Sequence, residues 1–367
     1  MNILGYVKNF GNKTFKELEF NDVDALILAE LAYVNFDQCV SGNHFKKFKD
    51  FEIEDPKSFY YGSVDSKNNE KLFTLMMESK RYKNIKVGNC KASIDENIKE
   101  QFYACTFLLP NETAYIAFRG TDTSILGWKE DFLLAYKDGI PGQHSAVEYL
   151  NEAVSLFDCN FYVGGHSKGG NLSIYSSLHM NHELHNRLIK TYSFDGPGFR
   201  KDIKKLPLYK YIEDKIVKYL TSNDVIGVIY NEIPDAKIVF SRGVFIFGHD
   251  PFNWEIKRMT GTFSYTKDRG RTSKLNEQAL MRWLTEMDDS DKKMAVDVIE
   301  KLIGDSKTIY DLLLRGGRIL VDSKKTMEEY SEEDRERTKI IFKRLGKYFL
   351  SNYNPRKYLL RKNKKNL

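Results

Sequence analysis

The chain has 367 residues, 41% hydrophobic and 13% aromatic, enough for one large α/β core or a core with an appendage. Lysine and arginine exceed aspartate and glutamate by 57 − 51 = +6, and residues 351–367 alone carry six basic side chains and no acidic one, so the rest balances at 51 against 51. A surplus this local argues against a broad nucleic-acid surface and describes a basic tail.

The four cysteines, Cys39, Cys90, Cys105 and Cys159, are scattered with no C-x-x-C pair, which suits unpaired thiols in a reducing compartment and neither a disulfide framework nor a zinc site. The opening Met1-Asn2-Ile3-Leu4-Gly5 lacks a basic stretch followed by a long apolar core. No apolar run reaches the roughly 18 residues of a spanning helix. The expectation is a soluble, cytoplasmic protein, with peripheral membrane contact through the tail as a further expectation.

Residues 1–20 carry no clear pattern. Asn21 reads as a helix cap with Asp24 in the first turn, and Val23, Leu26, Ile27, Leu31 and Val34 share one face behind it. Residues 36–71 read as loops and short helices over the core, and 71–79 as a short helix. Residues 102–109 and 114–118 read as two strands joined by a tight turn at Asn111-Glu112. The second runs into Arg119-Gly120-Thr121-Asp122. A short helix carries Trp128, Asp131, Phe132 and Ala135, and a stronger one over 143–157 carries Val147, Leu150, Val154 and Phe157.

The apolar run Phe161-Tyr162-Val163 then leads into Gly164-Gly165-His166-Ser167-Lys168-Gly169-Gly170, followed by helical spacing at Leu172, Tyr175 and Leu178. Strand, sharp turn and helix with G-x-S-x-G at the turn is the signature of a nucleophile elbow. The glycines at 165 and 169 suit a place where helix and strand nearly touch. A phosphate loop requires Gly-Lys before Ser or Thr, and here the order is Ser167-Lys168-Gly169. Further strands are expected over 188–194, 216–220 and 244–247. From about Arg271 the chain turns helical and charged, with stripes at Leu275, Ala279, Trp283 and at Met294, Val298, Leu302, and a basic amphipathic helix over 338–350 carrying Ile341, Leu345 and Tyr348.

Alternating strands and amphipathic helices imply a mostly parallel sheet covered on both faces, with ligands beyond the carboxyl ends of its strands. Thr121, Ser167, Asp224 and His249 each follow an inferred strand. The expected organisation is a core over 1–270, a helical appendage packed on it over 271–350, and the tail over 351–367.

A serine nucleophile needs a base and a carboxylate to orient it, in chain order Ser, acid, His. Four histidines follow Ser167. His179, His182 and His185 lie at or beyond the far end of the elbow's own helix and read as a solvated helix end. His249 remains as the base. Two acids compete, Asp224 in Thr221-Ser222-Asn223-Asp224 and Asp195 in Ser193-Phe194-Asp195-Gly196-Pro197-Gly198. Asp224 is preferred, because the Gly-Pro-Gly after Asp195 suits a turn in which that carboxylate binds backbone. The oxyanion donors should be the N–H of Lys168 and Thr121, whose hydroxyl could donate as well.

Phe118-Arg119-Gly120-Thr121, Trp128-Lys129-Glu130-Asp131 and Gly165-His166-Ser167-Lys168-Gly169 resemble the successive motifs of the class 3 lipases. With 21–37, 194–199 and 249–254 added, the arrangement more closely resembles a bacterial family of lipase-like proteins of unknown function, over roughly residues 20–285. The resemblance implies an α/β-hydrolase fold, Ser167 as nucleophile, Asp224 as acid, His249 as base, Thr121 and Lys168 as oxyanion donors, and structural roles for Trp128 and Asp131. Two features depart from the lipases. Lys168 stands where they usually carry an apolar or neutral residue, and its charge suits either an anionic head group or a salt bridge. Only 25 positions separate Asp224 from His249.

The expected activity is ester hydrolysis on an acyl-ester or lipid-like small molecule, without metal or organic cofactor and without a nucleic-acid partner. The competing expectation is a non-catalytic binding or regulatory module on the same fold.

Overall fold

The computed structural model describes residues 1–61, 65–231, 233, 235–243, 246–303 and 327–352. The chain divides into two compact units, Met1–Arg269 and Gly270–Leu367. The first is a mixed α/β architecture built on an eight-stranded sheet in sequential order with helices on both faces. Strands β1 (Phe45–Lys47), β2 (Lys86–Asp95), β3 (Glu100–Leu108) and β4 (Ala114–Phe118) pair antiparallel. From β4 onward, β5 (Phe161–His166), β6 (Leu188–Phe194), β7 (Ile216–Thr221) and β8 (Lys237–Val239) are all parallel. The parallel half carries the candidate site at its carboxyl edge, as open α/β sheets do.

The period-2 pattern of the strands divides the interior into two cores. Tyr103, Cys105 and Phe107 of β3 face one core, with Tyr115, Phe194 and Tyr219 and the helices α1 (Ile3–Phe10), α2 (Asp22–Leu31) and, beyond the short α3 (Pro56–Phe59), α4 (Ser66–Glu78). Phe102 and Ala104 face the other, with Ile116, Phe118 and Val163. Its helices include α6 (Pro141–Ser155), which follows α5 (Ile125–Leu133), and α7 (Lys168–His179).

The expected elements at 71–79, 102–109, 114–118, 143–157, 188–194 and 216–220 are present with ends shifted by a few residues, the first extended to α4. The unpatterned N-terminus holds α1, capped by Asn2 and burying Ile3, Tyr6, Val7 and Phe10. The strand expected over 244–247 is corrected. Val244 and Phe245 lie outside the described residues, and Ile246–His249 is a short helix, α8. A β-carbon at Gly243 would lie 2.0 Å from the Phe247 carbonyl oxygen, closer than a strand running from one to the other would allow. The strand is made earlier, as β8.

Helix α2 is fixed from its first turn. Asn21 Oδ1 accepts from the N–H groups of Val23 (3.0 Å) and Asp24 (3.4 Å), while Asp24 Oδ2 accepts from the Asn21 N–H (3.0 Å), a reciprocal capping box. The same carboxylate is fully buried and takes Arg81 Nε at 2.8 Å, Arg81 Nη2 at 2.5 Å and the Tyr82 hydroxyl at 2.5 Å. Arg81 also donates to the Leu18 (2.7 Å) and Glu19 (3.0 Å) carbonyls. One buried ion pair thus ties the helix start to the segment after α4.

The second unit, taken by itself, consists of α9 (Arg271–Glu286), α10 (Asp289–Ile303) and α11 (Glu332–Asn352) among the described residues. The expected stripes are turned inward at Ala279, Trp283, Val298, Ile341 and Tyr348. Trp283 Nε1 donates to the Ile341 carbonyl at 2.9 Å, and Arg337 pairs with Asp291 at 2.6 Å. No described helix is long and apolar enough to cross a membrane. Residues 353–367 of the expected basic tail lie outside the described residues.

Asp24→Asn keeps the size of the cap and removes the carboxylate paired with the buried Arg81 guanidinium. It should destabilise the protein by about 3–5 kcal/mol, the usual result of stranding one partner of a buried pair, measured by urea unfolding. A loss below about 1 kcal/mol would show that the pair does not anchor the helix.

Candidate active site

Strand β5 ends at His166 and α7 begins at Lys168, so Ser167 alone makes the turn. It does so at φ 58° and ψ −131°, a sparsely populated conformation for a residue with a side chain. Two contacts hold it there. The Ser167 N–H donates to the Phe194 carbonyl at 2.9 Å, and the helix closes down on the sheet at the flanking glycines. A β-carbon on Gly165 would lie 2.4 Å from the Gly169 carbonyl carbon, and one on Gly169 would lie 2.1 Å from the Phe118 carbonyl oxygen. No residue but glycine fits either place.

The loop after β4 crosses the elbow. At Gly120 a β-carbon would sit 2.6 Å from the His166 carbonyl oxygen and 3.0 Å from Ser167 Cβ. Arg119 anchors this loop to the end of α2. Its Nε donates to the Ala32 carbonyl at 2.6 Å, its Nη2 to the Val34 carbonyl at 3.2 Å and to Asn35 Oδ1 at 2.8 Å, and its guanidinium lies 3.7 Å from the centre of the Tyr103 ring. These carbonyls follow a helix end, where a cation is favoured. The Thr121 hydroxyl donates to Asp131 Oδ2. It is therefore spent on the α5 helix. Burial raises the Asp131 carboxyl to about 6, against the pull of the Lys168 charge.

Lys168 is buried. Its Nζ donates to Glu130 Oε2 at 2.6 Å, to the Gln101 carbonyl at 2.7 Å and to Gln101 Oε1 at 3.0 Å. Glu130 in turn accepts from the N–H groups of Gly142 (2.8 Å) and Gln101 (3.2 Å). The ammonium has all three donors satisfied inside the protein, so it faces no anionic head group. Its backbone N–H, as the first of α7, is one that a helix leaves without an internal acceptor.

His249 carries the two candidate carboxylates on one ring nitrogen. Nδ1 lies 2.8 Å from Asp195 Oδ2 and 3.5 Å from Asp224 Oδ2. Nε2 is buried and has no hydrogen-bond partner among the described residues. Burial alone would lower the imidazolium pKa, but the Asp224 charge and the hydrogen bonds to both aspartates raise it well above 6.5. The Asp195 carboxyl is pushed up by burial and by the Asp224 charge. Burial also works against ionised Asp224, yet the His249 charge and its hydrogen bonds hold it below the usual range.

His166 places this group against the elbow. Its ring centre lies 4.5 Å from that of His249, and its Nε2 is 2.9 Å from the His249 carbonyl oxygen. Burial and the neighbouring His249 hold its pKa well below 6.5, so the ring is neutral. Nε2–H then donates to His249 O, and Nδ1 accepts from the Tyr33 hydroxyl at 3.3 Å. Trp254 Nε1 donates to the same carbonyl at 3.3 Å.

The structure therefore gathers Ser167, Lys168 and Thr121 at the elbow, and Asp195, Asp224 and His249 beside it. The latter three are the one described group able to bring three ligand atoms within 4.8 Å for a metal. Their atoms are already matched as donor and acceptor, which suits acid–base work better than a cation. His185, expected on a solvated helix end, is buried instead, with Nδ1 3.0 Å from the His182 carbonyl oxygen. Sequence reasoning missed the positioning role of His166, although its place inside the serine motif pointed to it. It also missed the Gln101–Glu130 receptor for Lys168, for which no local signal exists.

Lys168→Met should strand the Glu130 carboxylate and cost about 3–5 kcal/mol in denaturant unfolding. Pairing it with Glu130→Gln should recover much of that loss; a double variant as unstable as the sum of the single ones would refute the pairing.

No curated protein matches the chain. Among solved structures it is similar to M37 lipase, at 17% identity and a TM-score of 0.37 over 57% of this chain and 70% of that one. It is also similar to Lip2 lipase from Yarrowia lipolytica, at 13% identity and a TM-score of 0.31 over 60% and 80%. The family model described as Mbeg1-like matches residues 76–301, more than half of the chain, and the protein belongs to that family.

Proposed function

We propose that the protein is a serine hydrolase acting on acyl esters. The observation that carries this reading is Ser167 at positive φ on a strand–helix turn, with a carboxylate-bound histidine held against that turn by His166. Ser167 Oγ attacks the ester carbonyl while His249 Nε2 takes its proton. The N–H groups of Lys168 and Thr121 receive the oxyanion, and the Thr121 tie to Asp131 keeps that loop in register. The intermediate collapses, His249 protonates the leaving alkoxide, and an acyl-enzyme remains. Water activated by the same nitrogen then releases the acid and restores Ser167.

Removing the nucleophile of such a unit costs on the order of 10⁶ in turnover. Ser167→Ala should thus abolish hydrolysis of short-chain p-nitrophenyl esters and labelling by a fluorophosphonate probe, with thermal unfolding unchanged. Equal rates for variant and wild type would sink the proposal. Absence of labelling in well-folded wild type would favour the non-catalytic module.

Contact with an anionic membrane surface through residues 351–367 is a separable part of the proposal and rests on their six basic side chains. Deleting them should weaken binding to phosphatidylserine vesicles at low salt. Unchanged binding would remove that part alone.

A further inference from the structure

Two carboxylates meet one imidazole, where a serine hydrolase needs one. We propose that Asp195 and Asp224 serve His249 together, Asp195 accepting the Nδ1–H and Asp224 supplying a second anchored charge. The inference rests on the hydrolase reading and gives both aspartates positioning roles in it.

Each carboxylate has its own backbone donors, and the two also hydrogen-bond to each other. Asp195 follows β6 at φ 53°, a strained conformation, with its own N–H donated to the Tyr219 carbonyl at 2.8 Å. Its Oδ1 accepts from the Thr221 N–H at 3.2 Å, and its Oδ2 lies 3.3 Å from the Thr221 hydroxyl, which donates to it. Room for it depends on Gly227, where a β-carbon would lie 2.2 Å from Asp195 Oδ1. Asp224 follows β7, and its Oδ2 accepts from the N–H groups of Ile226 (2.6 Å) and Gly227 (3.3 Å). A purely structural Asp195 would have no reason to present Oδ2 at 2.8 Å from Nδ1. A sole acid at Asp195 would leave the Asp224 carboxylate buried 3.5 Å from the same nitrogen without a use.

The consequence is a base that lets go of its proton late. Two negative charges stabilise the imidazolium, and the other ionisable groups acting on the cluster among the described residues include His166, Glu30, Asp131, Asp250, the buried Lys218 and Arg269, whose Nη2 donates to the Asp224 carbonyl. Lys218 Nζ has no hydrogen-bond partner among the described residues, and Asp195 is the charge that acts on it. The base works only after losing the added proton, so kcat/KM should rise with pH along a limb centred well above 6.5.

The experiment compares wild type, Asp195→Asn, Asp224→Asn and the double variant. Each single replacement should cost about 10- to 100-fold in kcat/KM and move the limb to lower pH by a unit or more. The double replacement should approach the 10⁴-fold or so that loss of a lone acid costs. A full loss from one aspartate with the other within twofold of wild type would overturn the shared role. So would a limb that neither variant moves. The pair can be read without turnover from the His249 ring titration by NMR in the full chain. A wild-type ring titrating near 6.5 overturns the inference whether or not any ester is hydrolysed. A high value that falls in either variant that folds supports it, even if the hydrolase reading fails for want of Ser167 labelling.

Discussion

The contact on which the site depends is the closure of α7 onto the sheet at Gly165 and Gly169. With β-carbons at either place the helix would have to lift away from the ends of β4 and β5. Ser167 would then relax out of positive φ, and the Lys168 N–H would no longer sit beside the loop from β4. The strain at Ser167 is small against the burial that maintains it. Leu172, Ile174 and Leu178 of α7 are fully buried against the same sheet. Apolar packing of the helix thus enforces a backbone conformation that the serine would not hold by itself.

Charge inside the protein does a different job. Arg81–Asp24, Lys168–Glu130 and Arg119 on the carbonyls after α2 each join segments that are far apart in sequence. Buried pairs of this kind contribute little net stability over an apolar alternative, but each admits one geometry only. Here that geometry sets the start of α2, the loop carrying Thr121 and the first turn of α7. The same low dielectric sharpens the interplay of His249 with its two carboxylates.

The elbow was legible because its determinants are adjacent: an apolar strand, a serine between spaced glycines, and a helical stripe. The cap at Asn21 was legible for the same reason. The acid was not resolved, and the structure explains why. Asp195 and Asp224 end neighbouring parallel strands, and strand spacing alone, near 4.8 Å, brings both within reach of one imidazole. Chain order cannot separate residues that topology places side by side. The fate of Lys168 was equally hidden, since Gln101 and Glu130 lie 67 and 38 positions away. The error at 244–247 was of another kind. The apolar run there predicts a strand, whereas Ile246–His249 is a short helix with the Phe247 carbonyl close against Gly243.

Ser167 and Asp195 prove to be related by the sheet itself. Each is the first residue past a parallel strand, each adopts positive φ, at 58° and 53°, and each donates its N–H to the next strand over. Ser167 N–H goes to Phe194 O of β6, and Asp195 N–H goes to Tyr219 O of β7. Positive φ and an N–H donated to the next strand therefore recur one strand apart. Ser167 exposes a hydroxyl at the sheet edge, and Asp195 aims a carboxylate at the histidine beside it. In that light the Gly-Pro-Gly after Asp195 is not evidence of a mere backbone turn. It is the path the chain takes once the strained residue has delivered its carboxylate, and it leaves Asp224, anchored on ordinary N–H donors, as the second of two charges that one imidazole shares.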